Sequence, residues 1–322
     1  MSTISLPLPT AQSGHIRPLN IMRDLSNVAD LVELCFQKTM DPEGQRYVQK
    51  MRHASRDNRF LRWASTSMPL SGYVWEEDKR IVGNISLALF TKNKERIFLI
   101  SNVAVHPDYR RRGIAQTLIQ MGLKHARQRR SDSIWLQADD NNLGAIKLYA
   151  DLGFQPRVRR NSWSADAMPQ VNQVPASITI SQRPTRFWSQ QYQWLQRAYP
   201  DEITWYRMPD WHIFGNGIRY WLHHIFVESD VRQWAAQKDG RLQAVVSWMQ
   251  TYTRLTPLWL ATAPDTDANA LTALLLHARK HLISQRRGLY IDYPAGEMNA
   301  AITAAGFTRR RTLLWMRADG KR

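Results

Sequence analysis

The chain has 322 residues, 43% of them hydrophobic and 22% charged, a globular composition with room for one large domain or two ordinary ones. Cys35 is its only cysteine, which excludes an internal disulfide and a cysteine-based zinc site. Apolar stretches such as Leu271–Leu276 are too short to cross a bilayer, and Met1–Gln12 lacks the basic start and apolar run of a signal peptide. The expectation is therefore a cytoplasmic protein without a membrane partner. The net charge of +17 is spread over both halves, so no single basic tail explains it, and such a surface attracts polyanions.

In chain order, His15–Pro18 reads as a strand. Asn27–Phe36 has helical spacing through Val28, Leu31, Val32, Leu34 and Cys35, and Gly44–His53 reads as a second helix. Gly72–Trp75, a turn at Glu76-Glu77-Asp78-Lys79, and Arg80–Leu89 read as a hairpin. Ile97–Val105 is a strand stopped by Pro107, followed by a helix at Ile114–Arg127, a strand at Ile134–Ala138 and a helix at Leu143–Leu152 closed by Gly153. Residues 161–177, with Pro169 and Pro175 and no periodicity, read as linker. The same order then returns: a hairpin at Arg232–Ala236 and Arg241–Gln250, a strand at Leu258–Ala263, a helix at Ala268–Leu282, a strand at Gly288–Asp292, a helix at Met298–Ala305 and a strand at Leu313–Met316. Leu152-Gly153-Phe154 and Ala305-Gly306-Phe307 mark equivalent points of a repeat. The second copy begins with a long aromatic insertion, Trp188–Trp221.

The segment that carries chemistry is Val103–Ala115. A strand ends, a short loop follows, and a helix begins after Arg110-x-x-Gly113-x-Ala115. Gly113 lets a ligand approach the backbone, the free N–H groups of the helix start favour an anion, and Ala115 keeps the helix close. Arg110, Arg111 and Arg112 add charge-assisted bonds to phosphate oxygens. The pattern predicts a diphosphate site.

These residues resemble the GNAT (Gcn5-related N-acetyltransferase) superfamily, whose signature Arg/Gln-x-x-Gly-x-Gly/Ala follows a strand. A second match lies downstream, at Asn142-x-x-Ala145-x-x-Leu148-Tyr149-x-x-Leu152-Gly153-Phe154. The resemblance implies an α/β (α+β) protein of two tandem GNAT folds, each a mixed, mostly antiparallel sheet flanked by helices. It implies a catalytic domain at residues 1–165, a linker at 166–177 and a second domain at 178–322. It implies acetyl-CoA or another acyl-CoA as cofactor. The Val103-Ala104-Val105 backbone would meet the pantetheine arm, N–H groups of Arg111, Arg112, Gly113, Ile114 and Ala115 would hold the pyrophosphate, Asn142 would bond or position the cofactor, and Tyr149 would protonate the departing thiolate. Asn142 also reads as a helix N-cap and Tyr149 as a packing aromatic.

The family's frequent strand glutamate falls here at Ser101, beside Asn102, and neither is a base. Asp139, Asp140, Glu76 and Glu77 are the alternatives, and an acceptor amine could also lose its proton to water. The second copy has Pro264-Asp-Thr-Asp-Ala-Asn-Ala270 in place of the glycine loop and Ile302 in place of Tyr149, which reads as a degenerate copy. The expected reaction is acyl transfer to a primary amine of a small molecule or protein. Acyl-CoA sensing without turnover is one rival. RNA binding is another, since Arg127-Arg129-Arg130, Arg157-Arg159-Arg160, Arg286-Arg287 and Arg309–Arg311 are basic clusters, yet none lies in a recognised nucleic-acid motif. Thirteen tryptophans read mainly as core. Adjacent His223-His224 do not converge on one ion, so no metal is expected.

Overall fold

Twelve strands and seven helices make up the regular structure among the residues that a computed structural model describes: 14–37, 40, 42–54, 71–165, 177–215, 230–251, 255–285 and 287–321. The elements of the sequence reading recur in order, and the strands Gln155–Ala165 and Ile178–Gln182 and the helix Trp188–Ala198 are added to them. His223-His224, Arg286 and most of the expected linker lie outside them. The described residues fall into two units.

The first unit holds those up to Ala138, Asn142–Arg157 and those from Trp315 onward. Strands β1 (His15–Pro18), β2 (Ser71–Glu77), β3 (Arg80–Lys92) and β4 (Glu95–Val105) pair antiparallel in that order. β5 (Ser133–Asp139) then joins β4 in parallel. The turns Asp78-Lys79 and Asn93-Lys94 have positive φ at both residues, the primed geometry that matches strand twist. The sequence reading placed Glu76 and Glu77 in the first turn. They are instead the end of β2, because two left-handed residues suffice to reverse the chain.

Helices α1 (Ile21–Phe36) and α2 (Pro42–Ala54) lie between β1 and β2. α1 begins earlier than apolar spacing suggested, because Asn20 caps it by accepting N–H bonds from Met22 and Arg23. Val28, Leu31, Val32, Val48, Met51 and Val74 share one apolar cluster. α3 (Ile114–Gln128) connects β4 to β5 and buries Ile114, Leu118, Ile119 and Leu123. Gly122 sits where a Cβ would approach Ile85 Cδ1 to 2.9 Å, so its bareness sets how closely α3 lies on the sheet. α4 (Leu143–Asp151) follows β5.

Asp24, 1% exposed, accepts from Arg17 Nη1 at 2.6 Å and from the Asn20 N–H at 2.8 Å. Burial pushes its carboxyl up, but Arg17, the Asn20 N–H and Arg23 outweigh that and hold it below the usual range. A depressed pKa contributes stability that is present above the unfolded value and lost as pH falls through the folded one. Asp24→Ala is expected to cost about 3 kcal/mol at neutral pH, measured by urea unfolding. The difference from wild type should shrink below pH ~4, where the unfolded carboxyl titrates.

The second unit holds Asp139–Asn141 and Val158–Leu314. Its strands are β6 (Gln155–Ala165) from Val158 on, β7 (Ile178–Gln182), β8 (Val231–Lys238), β9 (Arg241–Met249), β10 (Leu255–Thr262), β11 (Gly288–Pro294) and β12 (Thr308–Asp319) as far as Leu314. β6-β11-β10-β9-β8-β7 are successive neighbours, and of these pairs only β10 and β11 run parallel. Helices α5 (Trp188–Ala198), α6 (Ala268–Leu282) and α7 (Asn299–Ala304) complete it.

One expectation needs correction. Asn161–Ala165 are strand, not linker, because the polar side chains that punctuate them are paired: Asn161 with Thr312 and Asn299, Ser162 with Tyr290, and Ser164 with Arg310. By contacts, residues 158–165 group with the second unit and those from Trp315 with the first. Within the aromatic insertion, α5 is followed by short 3-10 turns at Asp201–Ile203 and Trp211–Phe214. Trp211, Trp234, Trp248 and Trp259 are core. No described helix is long and apolar enough to cross a membrane.

Candidate acyl-CoA site in the first unit

β4 and β5 pair only from Ile97↔Ser133 to Ile100↔Leu136. The rest of β4, Ser101–Val105, continues without β5. The departure coincides with a bulge: Ser86 faces Ser101 while Asn84 faces Ala104, so β4 carries one extra residue. Asn102 takes it up with φ 50. Its carbonyl accepts from Asn84 Nδ2 at 2.9 Å, and its own Nδ2 donates to Tyr47 Oη and Ser86 Oγ, each at 3.3 Å. Asn84 is fully buried. Sequence reasoning missed Asn84, Ser86 and Tyr47. The signal was there, in two polar residues within the otherwise apolar strand Ile81–Leu89.

Past the bulge, His106 donates to the Val82 carbonyl at 2.9 Å on the β3 side. Strand alternation then turns the backbone groups of Val103 and Val105 toward the open side, with Ala104 turned to β3. The Val105 carbonyl accepts from Cys35 Sγ and Arg110 Nε, at 3.3 and 3.2 Å. Burial pushes the Cys35 thiol up despite Arg110 beside it, so the sulfur stays a neutral donor.

The loop then enters α3 through Gly113, its N-cap, at φ 77. No side chain caps this helix, and the first intrahelical bond runs from the Thr117 N–H to the Gly113 carbonyl. The N–H groups of Ile114, Ala115 and Gln116 thus lack intrahelical partners. The three arginines separate. Arg110 folds back onto Val105. Arg112 bonds Glu77 at 3.2 Å and covers the Tyr109 ring at 4.8 Å. Arg111, left-handed at φ 63, is exposed.

Asn142 caps α4, its Oδ1 accepting the Ala145 N–H at 3.1 Å. Tyr149 lies on the buried side of α4, 7% exposed, edge-on to Phe154 at 6.1 Å. Burial pushes its phenol up to about 12. The α4 end is fixed by Gly153 at φ 90 and by the Phe154 N–H on the Tyr149 carbonyl. Of the acids considered as bases, Glu76 is paired with Arg17, Glu77 with Arg112 and Asp140 with Arg159, while Asp139 accepts the Asn141 N–H. In the basic clusters, Arg160 is 2% exposed and paired with Asp292, so it is core rather than surface.

Residues 29–154 match the family model for the acetyltransferase (GNAT) family. Over 61 residues the chain is 38% identical to the ribosomal protein bS18-alanine N-acetyltransferase of Escherichia coli, covering 19% of this chain and 41% of that protein. Over 66 residues it is 36% identical to a mycothiol acetyltransferase of Thermobispora bispora, covering 20% of each. The matched stretches span 20% to 54% of the curated relatives' own lengths. Among solved structures, a GCN5-related N-acetyltransferase from Sphaerobacter thermophilus aligns with TM-score 0.59 at 14% identity, over 98% of both chains. A tandem GNAT protein from the clavulanic acid biosynthesis pathway aligns with TM-score 0.53 at 17% identity, over 95% of this chain and 98% of that one. The fold of the whole chain is that of two tandem GNAT units.

Proposed function

We propose that the first unit binds acyl-CoA along the free end of β4 and transfers its acyl group to a primary amine. The observation that carries this reading is the parting of β4 from β5 after Ile100↔Leu136, beside an uncapped helix start at Gly113. The donor set fits the cofactor: unpartnered N–H groups at a helix start suit a pyrophosphate, and the Val103 backbone and the Val105 N–H, on the open side of β4, suit an amide-bearing arm. Bound acyl-CoA supplies the thioester and the thiolate leaving group. Arg110 and Cys35 hold Val105, the Asn84–Ser86–Tyr47 set holds the bulge, and Tyr149 presents a phenol that stays protonated. Tyr149 is assigned proton delivery to the departing sulfur, and Asn142 the start of the helix that carries it.

Calorimetry with acetyl-CoA tests the binding half. CoA release with a panel of amines, including the alanine amine of a peptide, suggested by the bS18-alanine relatives, tests the transfer half. Sensing without turnover is the second reading, because Ser101 is no base and Glu76, Glu77 and Asp140 are in ion pairs. Uptake of acetyl-CoA with no release to any amine would favour it. The exposed Arg111 is the arginine assigned to phosphate. Arg111→Ala is expected to weaken acetyl-CoA binding roughly tenfold or more, and Arg112→Ala, whose guanidinium is committed to Glu77 and Tyr109, less. Calorimetry at two salt concentrations checks both.

A further inference from the structure

The second unit repeats the strand geometry that opens the first. β10 and β11 pair in parallel from Leu255↔Gly288 to Pro257↔Tyr290 and then part. Ala263 donates to the Gln243 carbonyl at 2.8 Å on the β9 side, as His106 donates to Val82. Strand alternation therefore turns Leu260 and Thr262 to the open side, in the positions of Val103 and Val105.

In the second unit the N–H that corresponds to that of Val103 is taken. Tyr199, the C-cap of α5, accepts the Leu260 N–H on its hydroxyl at 3.2 Å. Arg197 Nη2 donates to the Thr262 carbonyl at 2.8 Å, as Arg110 Nε donates to the Val105 carbonyl in the first unit. Tyr199 is fully buried, its ring against Trp211, Trp259 and Tyr293 and beneath the Arg160 guanidinium at 4.9 Å. Arg160 closes the other side, donating to the Asp292 carbonyl of β11 at 2.9 Å and to the Ala198 carbonyl at 2.7 Å. The helix start is taken too. Asp267 caps α6, its Oδ1 accepting the N–H groups of Asn269 and Ala270 at 2.8 and 3.0 Å, while Oδ2 pairs with Lys238. Lys238 and these N–H bonds hold the Asp267 carboxyl below its ordinary range, so it is an anion.

We infer that the second unit carries a built-in surrogate of an acyl-CoA. The Asp267 carboxylate stands at the helix start where the first unit is assigned a pyrophosphate. The Tyr199 hydroxyl stands on the open strand where the first unit is assigned the pantetheine arm. The cleft is occupied by the chain itself, and each chain takes up one acyl-CoA. The correspondence rests on the function proposed for the first unit, whereas the occupation of the second cleft does not.

Two measurements on the full chain test this. Calorimetry with acetyl-CoA is expected to give one equivalent for the wild type and no heat for Gly113→Asp. Two equivalents, or binding that survives Gly113→Asp, would overturn the inference. Independently, in leucine-labelled protein the Leu260 amide proton of Tyr199→Phe is expected to move upfield, with no comparable shift at Leu258. The ring is kept, so the variant retains its packing and loses only the acceptor. An unmoved Leu260 resonance would overturn the inference whatever the calorimetry gives. A wild type that takes up no acetyl-CoA would sink the reading of the first unit, and the Leu260 shift would then decide whether the second cleft is plugged.

Discussion

Gly113→Asp is expected to abolish acetyl-CoA binding, a loss of at least ~100-fold, while leaving the protein folded. Two effects add. Gly113 has φ 77, where a side chain costs about 1–2 kcal/mol of backbone strain. The larger effect is electrostatic. An aspartate at the N-cap of α3 would accept the N–H groups assigned to the pyrophosphate and place a like charge beside it. A Cβ built at Gly113 meets nothing within 4 Å, so the fold has room for the change. Gly113→Ala separates the two effects, since it adds the strain without the charge. It should bind more weakly than wild type but far better than Gly113→Asp. Equal affinity in all three proteins would remove the cofactor from this loop.

Tyr149→Phe is expected to slow transfer about 100-fold with acetyl-CoA affinity unchanged. The ring's packing on Phe154 is kept and only the hydroxyl is lost. Burial raises the phenol to about 12. A raised pKa keeps the proton on the oxygen throughout the ordinary working range, so a falling limb of rate with pH should begin only near 12 if Tyr149 sets it. The assay is CoA release with whichever amine of the panel responds. Unchanged turnover in Tyr149→Phe would leave the residue as a packing aromatic of α4.

Part of this was readable in the chain, for a physical reason. Gly113 and the helix start stand out without a fold because a strand stop, a glycine and an apolar helical face follow one another, and Asn142 and Gly153 mark the two ends of α4 in the same way. α6 was placed at its observed bounds because its apolar face repeats at helical spacing. What depends on distant partners was not readable. Asn161–Ala165 looked like linker because Asn161, Ser162 and Ser164 are polar, and only Thr312, Tyr290 and Arg310 make them strand. The bulge at Asn102 depends on Asn84 and Tyr47. The arginines of the loop were taken together, yet Glu77 and Val105 claim Arg112 and Arg110. Asp267 stood out only as part of the segment that replaces the glycine loop, and its bonding to Asn269 and Ala270 makes it a cap.

The assignment of Trp315 and the residues after it to the first unit bears on when that unit acquires its structure. Trp315 meets Trp135 edge-on at 6.3 Å, the Gly320 N–H bonds the Asp132 carbonyl, and Lys321 pairs with Asp132. A ribosome releases these residues only after every residue of the second unit has been made. The first unit therefore cannot finish as an early product of N-to-C synthesis, the usual advantage of a leading domain. Its last strand must close a loop through the whole intervening chain, an ordering cost that grows only slowly with length but a search that is intrinsically slow. Until then the ring contact between Trp135 and Trp315 cannot form.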